Sequence, residues 1–207
     1  MPLKVKICGI TNLDDANAAV DMGADILGFN FYPPSPRFIE PDRALGIINK
    51  MPTFVDTAAV FVNAKIEQIK GISERGYFNW IQLHGDETPE FCDSLLYFNV
   101  KTIKAIRVKD GQDIKSAADY YTDAVLLDAF DAKQYGGTGK TFDWNVISDI
   151  GKRIFLAGGL NPDNAAQAAE VGVYAIDTCS GVESEPGKKD HKKLEMFFKN
   201  IQHVRSL

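Results

Sequence analysis

The stretch "RIFLAGGLNPDNAAQAAEVGVYAIDTCSG", residues 153–181, reads as a strand, a helix and a second strand. Both of its ends carry short apolar runs, and the alanine-rich segment between them has the composition of a helix. Gly172 lies where that helix would end. Because two parallel strands need such a crossover, the stretch predicts one strand–helix–strand unit of a parallel sheet.

The same pattern extends over the rest of the chain. Helix-type segments, one of them at 142–151 with Asp143 as its cap, separate short apolar runs. Units of about 26 residues without a linker predict a single domain over residues 1–207. They favour a closed (β/α)₈ barrel over a doubly wound open sheet. The eight strand candidates are 4–10, 26–32, 58–63, 80–85, 102–108, 124–130, 153–159 and 174–181.

The composition of the chain indicates which binding partners and which cellular compartment to expect. The chain has 23 basic and 28 acidic residues and a net charge of −5, so we expect no nucleic-acid surface. Its cysteines, at positions 8, 92 and 179, lack CxxC spacing, which is typical of a reducing compartment and not of a zinc site. The histidines also lack metal-ligand spacing. Without a signal-peptide or membrane-span pattern, we expect a cytoplasmic protein that binds no membrane.

Glycine turns follow the last two strands of the predicted barrel. Active sites of such barrels form at the C-terminal ends of the strands, and the turns after strands seven and eight often bind phosphate. Gly158 and Gly159 lie at the end of strand candidate seven, and Ser180 and Gly181 lie at the end of strand candidate eight. These residues therefore predict a phosphate site, although the glycines could instead serve only to make tight turns.

Two strand ends carry groups suited to proton transfer. Strand alternation places Cys8 with Lys6 on the barrel interior, where the cation could lower the pKa of the thiol. Asp128 ends the apolar strand "AVLLD", so its charge needs either a structural partner or a place in an active site. A thiolate base and a carboxylic acid facing each other across the mouth would form a pair able to move protons on a sugar.

Two cationic side chains have alternative interpretations. Arg37 lies in "YPPSPRFI", residues 32–39, where prolines stiffen the loop and could present the guanidinium to a carboxylate. The same residue could equally be an exposed arginine on a rigid turn. Lys104 could in principle form a Schiff base with a substrate, but its position in the middle of a strand and not at the mouth argues against this mechanism.

The stretch "GGTGKT", residues 136–141, resembles a nucleotide-binding loop. The pattern GxxxxGK[ST] requires its first glycine at position 134, and this chain has Gln134 there. The loop instead follows strand six beside Asp128, so we predict a lid that closes over a bound substrate. The alternative is a merely flexible connection.

Taken together, these segments resemble the phosphoribosylanthranilate isomerase family. The resemblance covers nearly the whole chain in the family's order, and the combination is specific although each segment alone is weak. It implies a (β/α)₈ barrel. The matching segments are "KICGIT", "GFNFYPPSPRFI", "VFVN", "QLHGDE", "LLDAF", "GGTGKTFDW", "AGGLNPDN" and "DTCSGVESEPGKKDH".

The resemblance also implies an activity and roles for residues. The implied reaction is an Amadori rearrangement of a small-molecule substrate, phosphoribosylanthranilate, without cofactor or metal. Cys8 would be the general base, Asp128 the general acid and Arg37 the ligand of the anthranilate carboxylate. The phosphate ligands would be Gly158, Gly159, Ser180 and Gly181. We expect a monomer. The alternatives are another phosphosugar isomerase or epimerase, or a catalytically silent phosphosugar-binding barrel.

Overall fold

The computed structural model of the chain describes residues 2–131, 135–136 and 139–205. Its strands form a closed parallel barrel in which each strand pairs with its neighbours in sequence and β1 pairs with β8. All of the strands predicted from the sequence are present, most of them shorter than predicted. They are β1 Lys4–Ile7, β2 Ile26–Asn30, β3 Asp56–Phe61, β4 Trp80–Leu83, β5 Lys101–Val108, β6 Ala124–Ala129, β7 Arg153–Leu156 and β8 Ala175–Thr178.

Helices connect most consecutive strands and cover the outside of the barrel. Their apolar residues pack with the outward-facing strand residues in two clusters, a larger one that includes Val5 and Ile7 of β1 and a smaller one around Ile114 of α5. None of the helices in the described ranges is long and apolar enough to cross a membrane. The helices are α1 Leu13–Asp21, α2 Pro41–Ile48, α3 Ile66–Ser73, α4 Pro89–Asp93, α5 Gly111–Ser116, α6 Ala165–Glu170 and α7 His191–Arg205.

The barrel interior is apolar at one end and polar at the other. Alternate residues of each strand point inward, as the pleat requires. Apolar side chains fill the part of the interior further from the C-terminal ends of the strands. There the rings of Trp80 and Phe155 pack edge to face, with their centroids 5.8 Å apart. One step further along the strands the buried residues are polar, and they include Lys6, Gln82, Asp128 and Asp177. This change of polarity places the reactive groups at the C-terminal mouth.

The predicted helix over residues 142–151 is wrong. The structure has only a 3₁₀ turn there, Trp144–Val146. Asp143 accepts hydrogen bonds from the backbone and the side chain of Asn145, and such local bonds compete with helix formation. The β-branched and Asx residues that follow have low helix propensity, so the segment remains irregular.

A small hairpin after β8 was not predicted. Strands β9, Glu183–Glu185, and β10, Lys188–Lys189, pair antiparallel before α7 begins. Asp15 of α1 accepts a hydrogen bond from the backbone N–H of Lys189 at 2.7 Å. The hairpin therefore holds Glu183 and Lys189 beside the barrel mouth.

Aromatic rings fill the barrel interior, so we expect that removing one of them lowers the free energy of unfolding substantially. Phe155 is fully buried, and Phe155→Ala should lower the free energy of unfolding by about 3–5 kcal/mol. Phe54 is 80% exposed, so Phe54→Ala should change it by less than about 0.5 kcal/mol. Urea unfolding followed by circular dichroism measures both. Equal effects of the two substitutions would contradict this view of the core.

Candidate active site

A cavity of about 530 Å³ opens at the C-terminal ends of the strands. It brings together six of the residues predicted for the site: Cys8, Arg37, Asp128, Gly158, Gly159 and Ser180. Gly181 has a different position, packed against the loop after β7. A Cβ atom at Gly181 would lie 1.9 Å from the carbonyl oxygen of Leu160. Its lack of a side chain lets the turns after β7 and β8 approach each other.

Cys8 follows β1 at the edge of the cavity and is partly exposed. Its backbone N–H donates to the carbonyl oxygen of Thr178 on β8 at 2.9 Å. The neighbouring thiol of Cys179 stabilises the Cys8 thiolate, and Lys6 and Lys189 add positive charge. These interactions lower the pKa of Cys8 well below that of an ordinary thiol, although burial opposes them.

Lys6 forms a buried ion pair with Asp177, whose carboxylate lies 2.8 Å from its Nζ atom. Burial opposes the positive charge, but Asp177 and Cys8 outweigh it and raise the pKa of Lys6. Burial, together with the negative charge of Cys8, raises the pKa of Asp177 to about 7 despite this ion pair. One cation is thus shared between two anionic groups.

Asp128 is held at the end of β6 by bonds to both of its carboxylate oxygens. The backbone N–H of Ala129 donates to Oδ1 at 2.9 Å, and His84 Nε2 lies 3.2 Å from Oδ2. Gln82 Nε2 lies 2.7 Å from Nδ1 of the same imidazole. When the Gln82 amide nitrogen donates to Nδ1, the ring hydrogen is on Nε2 and points at Asp128.

Arg37 is engaged by a carboxylate of the β9–β10 hairpin. Its Nε and Nη2 atoms donate to Glu183 over distances of 2.7–3.1 Å. Lys189 also binds Glu183, at 2.9 Å. Burial opposes the charge of Arg37, but hydrogen bonding to Glu183 raises its pKa, so the guanidinium stays protonated. The Nη1 atom takes no part in the bonds to Glu183.

The glycines after β7 occupy positions that a side chain would not fit. Gly158 and Gly159 have φ angles of 87° and 62°, in the left-handed region. A Cβ atom at Gly158 would lie 2.7 Å from the backbone nitrogen of Ala129 and 2.9 Å from Asp128 Oδ1. Asn161 and Asn164 each donate to the carbonyl oxygen of Gly159 at 3.1 Å. The turn is therefore rigid and lies directly beside Asp128.

The loop after β6 contributes to the same wall. A Cβ atom at Gly136 would lie 2.8 Å from His84 Nε2 and 3.0 Å from Asp128 Oδ2. The carbonyl oxygen of Gly139 would lie 2.7 Å from a Cβ atom at Gly159. Gln134, Gly137 and Thr138, on which the motif and lid interpretations also depend, lie outside the described residues.

Lys104 lies away from the cavity. Its ammonium group binds Glu87 at 2.8 Å and the carbonyl oxygen of Gly85 at 2.7 Å. A Schiff base would require this nitrogen to leave a buried ion pair. No group of three or more histidine, cysteine or acidic side chains suited to a metal ion occurs in the part of the chain that the structure describes.

Sequence reasoning missed three residues that shape the site. No role was predicted for His84, although its i, i+2 spacing from Gln82 on β4 puts both side chains on one face. Glu183 gave no signal, because its partner Arg37 is 146 residues away. Cys179 was counted only as a free cysteine, although the pairing of Ile7 with Thr178 places it beside Cys8.

The fold and the site define a (β/α)₈-barrel protein whose mouth combines a cysteine of lowered pKa, a held carboxyl group and glycine turns after β7 and β8. The family model described as N-(5'phosphoribosyl)anthranilate (PRA) isomerase matches residues 5–200. The chain belongs to this family of enzymes, as its sequence resemblance implied.

Individual members of the family are similar to this chain over nearly its full length. A curated N-(5'-phosphoribosyl)anthranilate isomerase from Trichlorobacter lovleyi is 46% identical over 98% of this chain and 99% of its own. The crystal structure of the Thermotoga maritima phosphoribosyl anthranilate isomerase has a TM-score of 0.90 at 41% identity, covering 98% of this chain and all of that one. A further solved isomerase, bound to reduced 1-(o-carboxyphenylamino)-1-deoxyribulose 5-phosphate, has a TM-score of 0.83 at 38% identity, with coverage of 98% and 100%.

The close approach at Gly158 predicts a stability difference between two glycine substitutions. Gly172 has a similar φ angle, 82° against 87°, but open space where a Cβ atom would go. Gly172→Ala should cost about 1–2 kcal/mol through backbone strain alone. Gly158→Ala should cost more, because it adds a clash with the backbone of Ala129. Urea unfolding compares the two variants, and equal losses would exclude the close approach.

The position of Lys6 between Asp177 and Cys8 predicts that its charge affects the pKa of the Cys8 thiol. Lys6→Met removes positive charge that favours the thiolate, so the pKa of Cys8 should rise. Alkylation of Cys8 by iodoacetamide, followed by mass spectrometry against pH, should then have its midpoint at higher pH.

Two further variants control this experiment. Lys4→Met lies on the same strand but pairs with Asp25, so it should leave the midpoint unchanged. The double variant Lys6→Met, Asp177→Asn avoids a buried unpaired carboxylate and keeps the test valid if the single variant unfolds. An unchanged midpoint in folded protein would show that Lys6 does not favour the thiolate.

Proposed function

We propose that this chain converts N-(5'-phosphoribosyl)anthranilate to 1-(2-carboxyphenylamino)-1-deoxyribulose 5-phosphate, a step of tryptophan biosynthesis, by general acid–base catalysis in the cavity at the barrel mouth. The observation that carries the assignment is that Cys8 and Asp128 line one cavity together with the turns after β7 and β8, in a chain of this isomerase family. The relative bound to a reduced product analogue supports the same substrate class.

The substrate would lie across the cavity with its two anionic ends on opposite sides. The 5-phosphate would bind the turns at Gly158, Gly159, Ser180 and Gly181, where backbone N–H groups and a hydroxyl can donate. The anthranilate carboxylate would bind Arg37 at Nη1, because Glu183 already takes Nε and Nη2. These anchors fix the sugar between Cys8 and Asp128.

The first chemical step opens the furanose ring. Protonated Asp128 donates its proton to the ring oxygen, the bond from that oxygen to C1 breaks, and the nitrogen lone pair forms an iminium ion. His84 and the backbone N–H of Ala129 hold the carboxyl group throughout and stabilise the carboxylate that results. Their role is to position the acid.

The second step moves a proton from the sugar. The thiolate of Cys8 removes the C2 proton, and the electrons of that bond neutralise the iminium ion to give an enolamine, which tautomerises to the ketone. Two buried oxygens lining the cavity, Asp177 Oδ1 and Gln82 Oε1, have no hydrogen-bond partner within the described residues. They are suited to accept hydrogen bonds from the sugar hydroxyls.

The loop after β6 would cover the substrate beside the acid. Support comes from Gly136, which closely approaches His84 and Asp128, and from Gly139, which closely approaches Gly159. Replacing Gly136 by alanine would bring a methyl group against Asp128, so that substitution tests packing as well as motion. Closure of this loop as a lid remains a prediction.

Assembly and compartment remain predictions as well. We expect a monomer, whereas the Thermotoga maritima relative is described as a dimeric enzyme from which monomers were generated. We also expect a cytoplasmic location, in keeping with a biosynthetic role and with free cysteines.

Removal of either proton-transfer group tests the assignment. Cys8→Ala and Asp128→Asn should each lower kcat/KM by about 10²- to 10⁴-fold, because each removes one positioned acid or base. Phosphoribosylanthranilate made in situ loses its fluorescence on conversion, which provides the assay. Circular dichroism should show that both variants remain folded.

Cys92→Ala is the matched control, since Cys92 is a buried residue of α4 and does not line the cavity. It should retain turnover close to that of the unchanged chain. If the unchanged protein and Cys8→Ala were equally inactive while folded, the chain would be a silent phosphosugar-binding barrel and not an isomerase.

A further inference from the structure

Two of the three cysteines lie side by side where the barrel closes. Ile7 of β1 pairs with Thr178 of β8, and a cysteine directly follows each strand, Cys8 after β1 and Cys179 after β8. Both line the cavity and both are partly exposed, whereas Cys92 is buried. Cys179 supports the thiolate of Cys8 but transfers no proton to or from the substrate in the reaction described above.

The backbone geometry suits a covalent link between them. Neighbouring strands lie about 4.8 Å apart, and the Cα atoms of disulfide-bonded cysteines usually lie about 4.4–6.8 Å apart. The Cys179 sulfur lies 2.9 Å from the position of a Cβ atom at Gly9, the residue directly after Cys8. The side chain of Cys179 is thus turned toward the residues that directly follow β1.

The surroundings give the two sulfur atoms different characters. Cys8 is the more acidic thiol, for the reasons given above, and a thiolate near positive charge is the form that oxidants attack. Hydrogen bonding to Cys8, and then burial, raise the pKa of Cys179, so it stays a thiol. The Cys179 thiol also donates a hydrogen bond to Glu183 Oε1, 3.8 Å from its sulfur.

We propose that Cys8 and Cys179 form a reversible disulfide when the protein meets a peroxide, with Cys8 as the oxidised residue and Cys179 as the resolving one. The bond would consume the proposed general base and join the first and last strands of the barrel. Isomerisation would then stop under oxidation and resume on reduction.

The chemistry balances in two steps. The Cys8 thiolate attacks one oxygen of hydrogen peroxide, an S–O bond forms, the O–O bond breaks, and the departing hydroxide becomes water with a proton from solvent. The Cys179 sulfur then attacks the sulfur of the Cys8 sulfenic acid, forming the S–S bond and breaking the S–O bond. The proton of Cys179 leaves with that hydroxyl group as a second water. The two sulfurs lose two electrons and the peroxide gains them.

Peptide mapping of the peroxide-treated full chain tests the link. Trypsin separates the three cysteines onto peptides 7–37, 76–101 and 154–188. Under non-reducing conditions we expect peptides 7–37 and 154–188 joined through Cys8 and Cys179, and separated again by dithiothreitol. Turnover should fall by about 10²-fold or more as the link forms, as expected for loss of the base, and return on reduction.

Two variants, each compared with its own untreated activity, make the test specific. Cys92→Ser should behave as the unchanged chain does. Cys179→Ser should form no linked peptide, and its Cys8 should proceed to sulfinic acid, which dithiothreitol does not reverse. Oxidation of the unchanged chain to sulfinic acid at Cys8 without a link, or a link through Cys92, would overturn the proposal. Mass spectrometry detects the link whatever the protein catalyses, so this outcome is independent of the isomerase assignment.

Discussion

The buried ammonium group of Lys6 is the constraint on which the rest of the site depends. Placing a cation inside a barrel is costly unless it is paired, and Asp177 on the neighbouring strand pairs it at 2.8 Å. The ion pair therefore joins β1 to β8 at the point where the barrel closes. The same charge also faces Cys8, so one interaction both closes the fold at its mouth and favours a thiolate there.

The surroundings of the two proposed proton-transfer groups, Cys8 and Asp128, differ. Cys8 depends on charge and on a neighbouring thiol, whereas Asp128 is fixed by hydrogen bonds from Ala129 and His84. A base that must be ionised benefits from nearby cations, while an acid that must carry a proton benefits from precise placement without a strong cation beside it. The barrel supplies both environments because its strands end around one cavity with different neighbours.

Most of the fold could be predicted from the sequence, because strand periodicity and crossovers are local properties. Alternation along "KVKIC" alone places Lys6 and Cys8 on the interior face, as the structure has them. The 142–151 segment was misread because an aspartate cap signals a turn as readily as a helix, and Asp143 makes the turn. The Arg37–Glu183 pair joins residues far apart in sequence, so no local pattern could reveal it.

The strand register of the barrel places residue 179, which is distant in sequence, next to the reactive thiol of Cys8. Because Ile7 is paired with Thr178, whatever follows Thr178 lies next to Cys8. A hydrogen-bond donor there favours the Cys8 thiolate, and an apolar residue would remove that support. A thiol supplies the donor and is also able to form a covalent bond with its neighbour, which a hydroxyl cannot do. The acidity that makes Cys8 an effective base is therefore inseparable from its susceptibility to oxidation, and the residue at position 179 determines whether that oxidation is reversible.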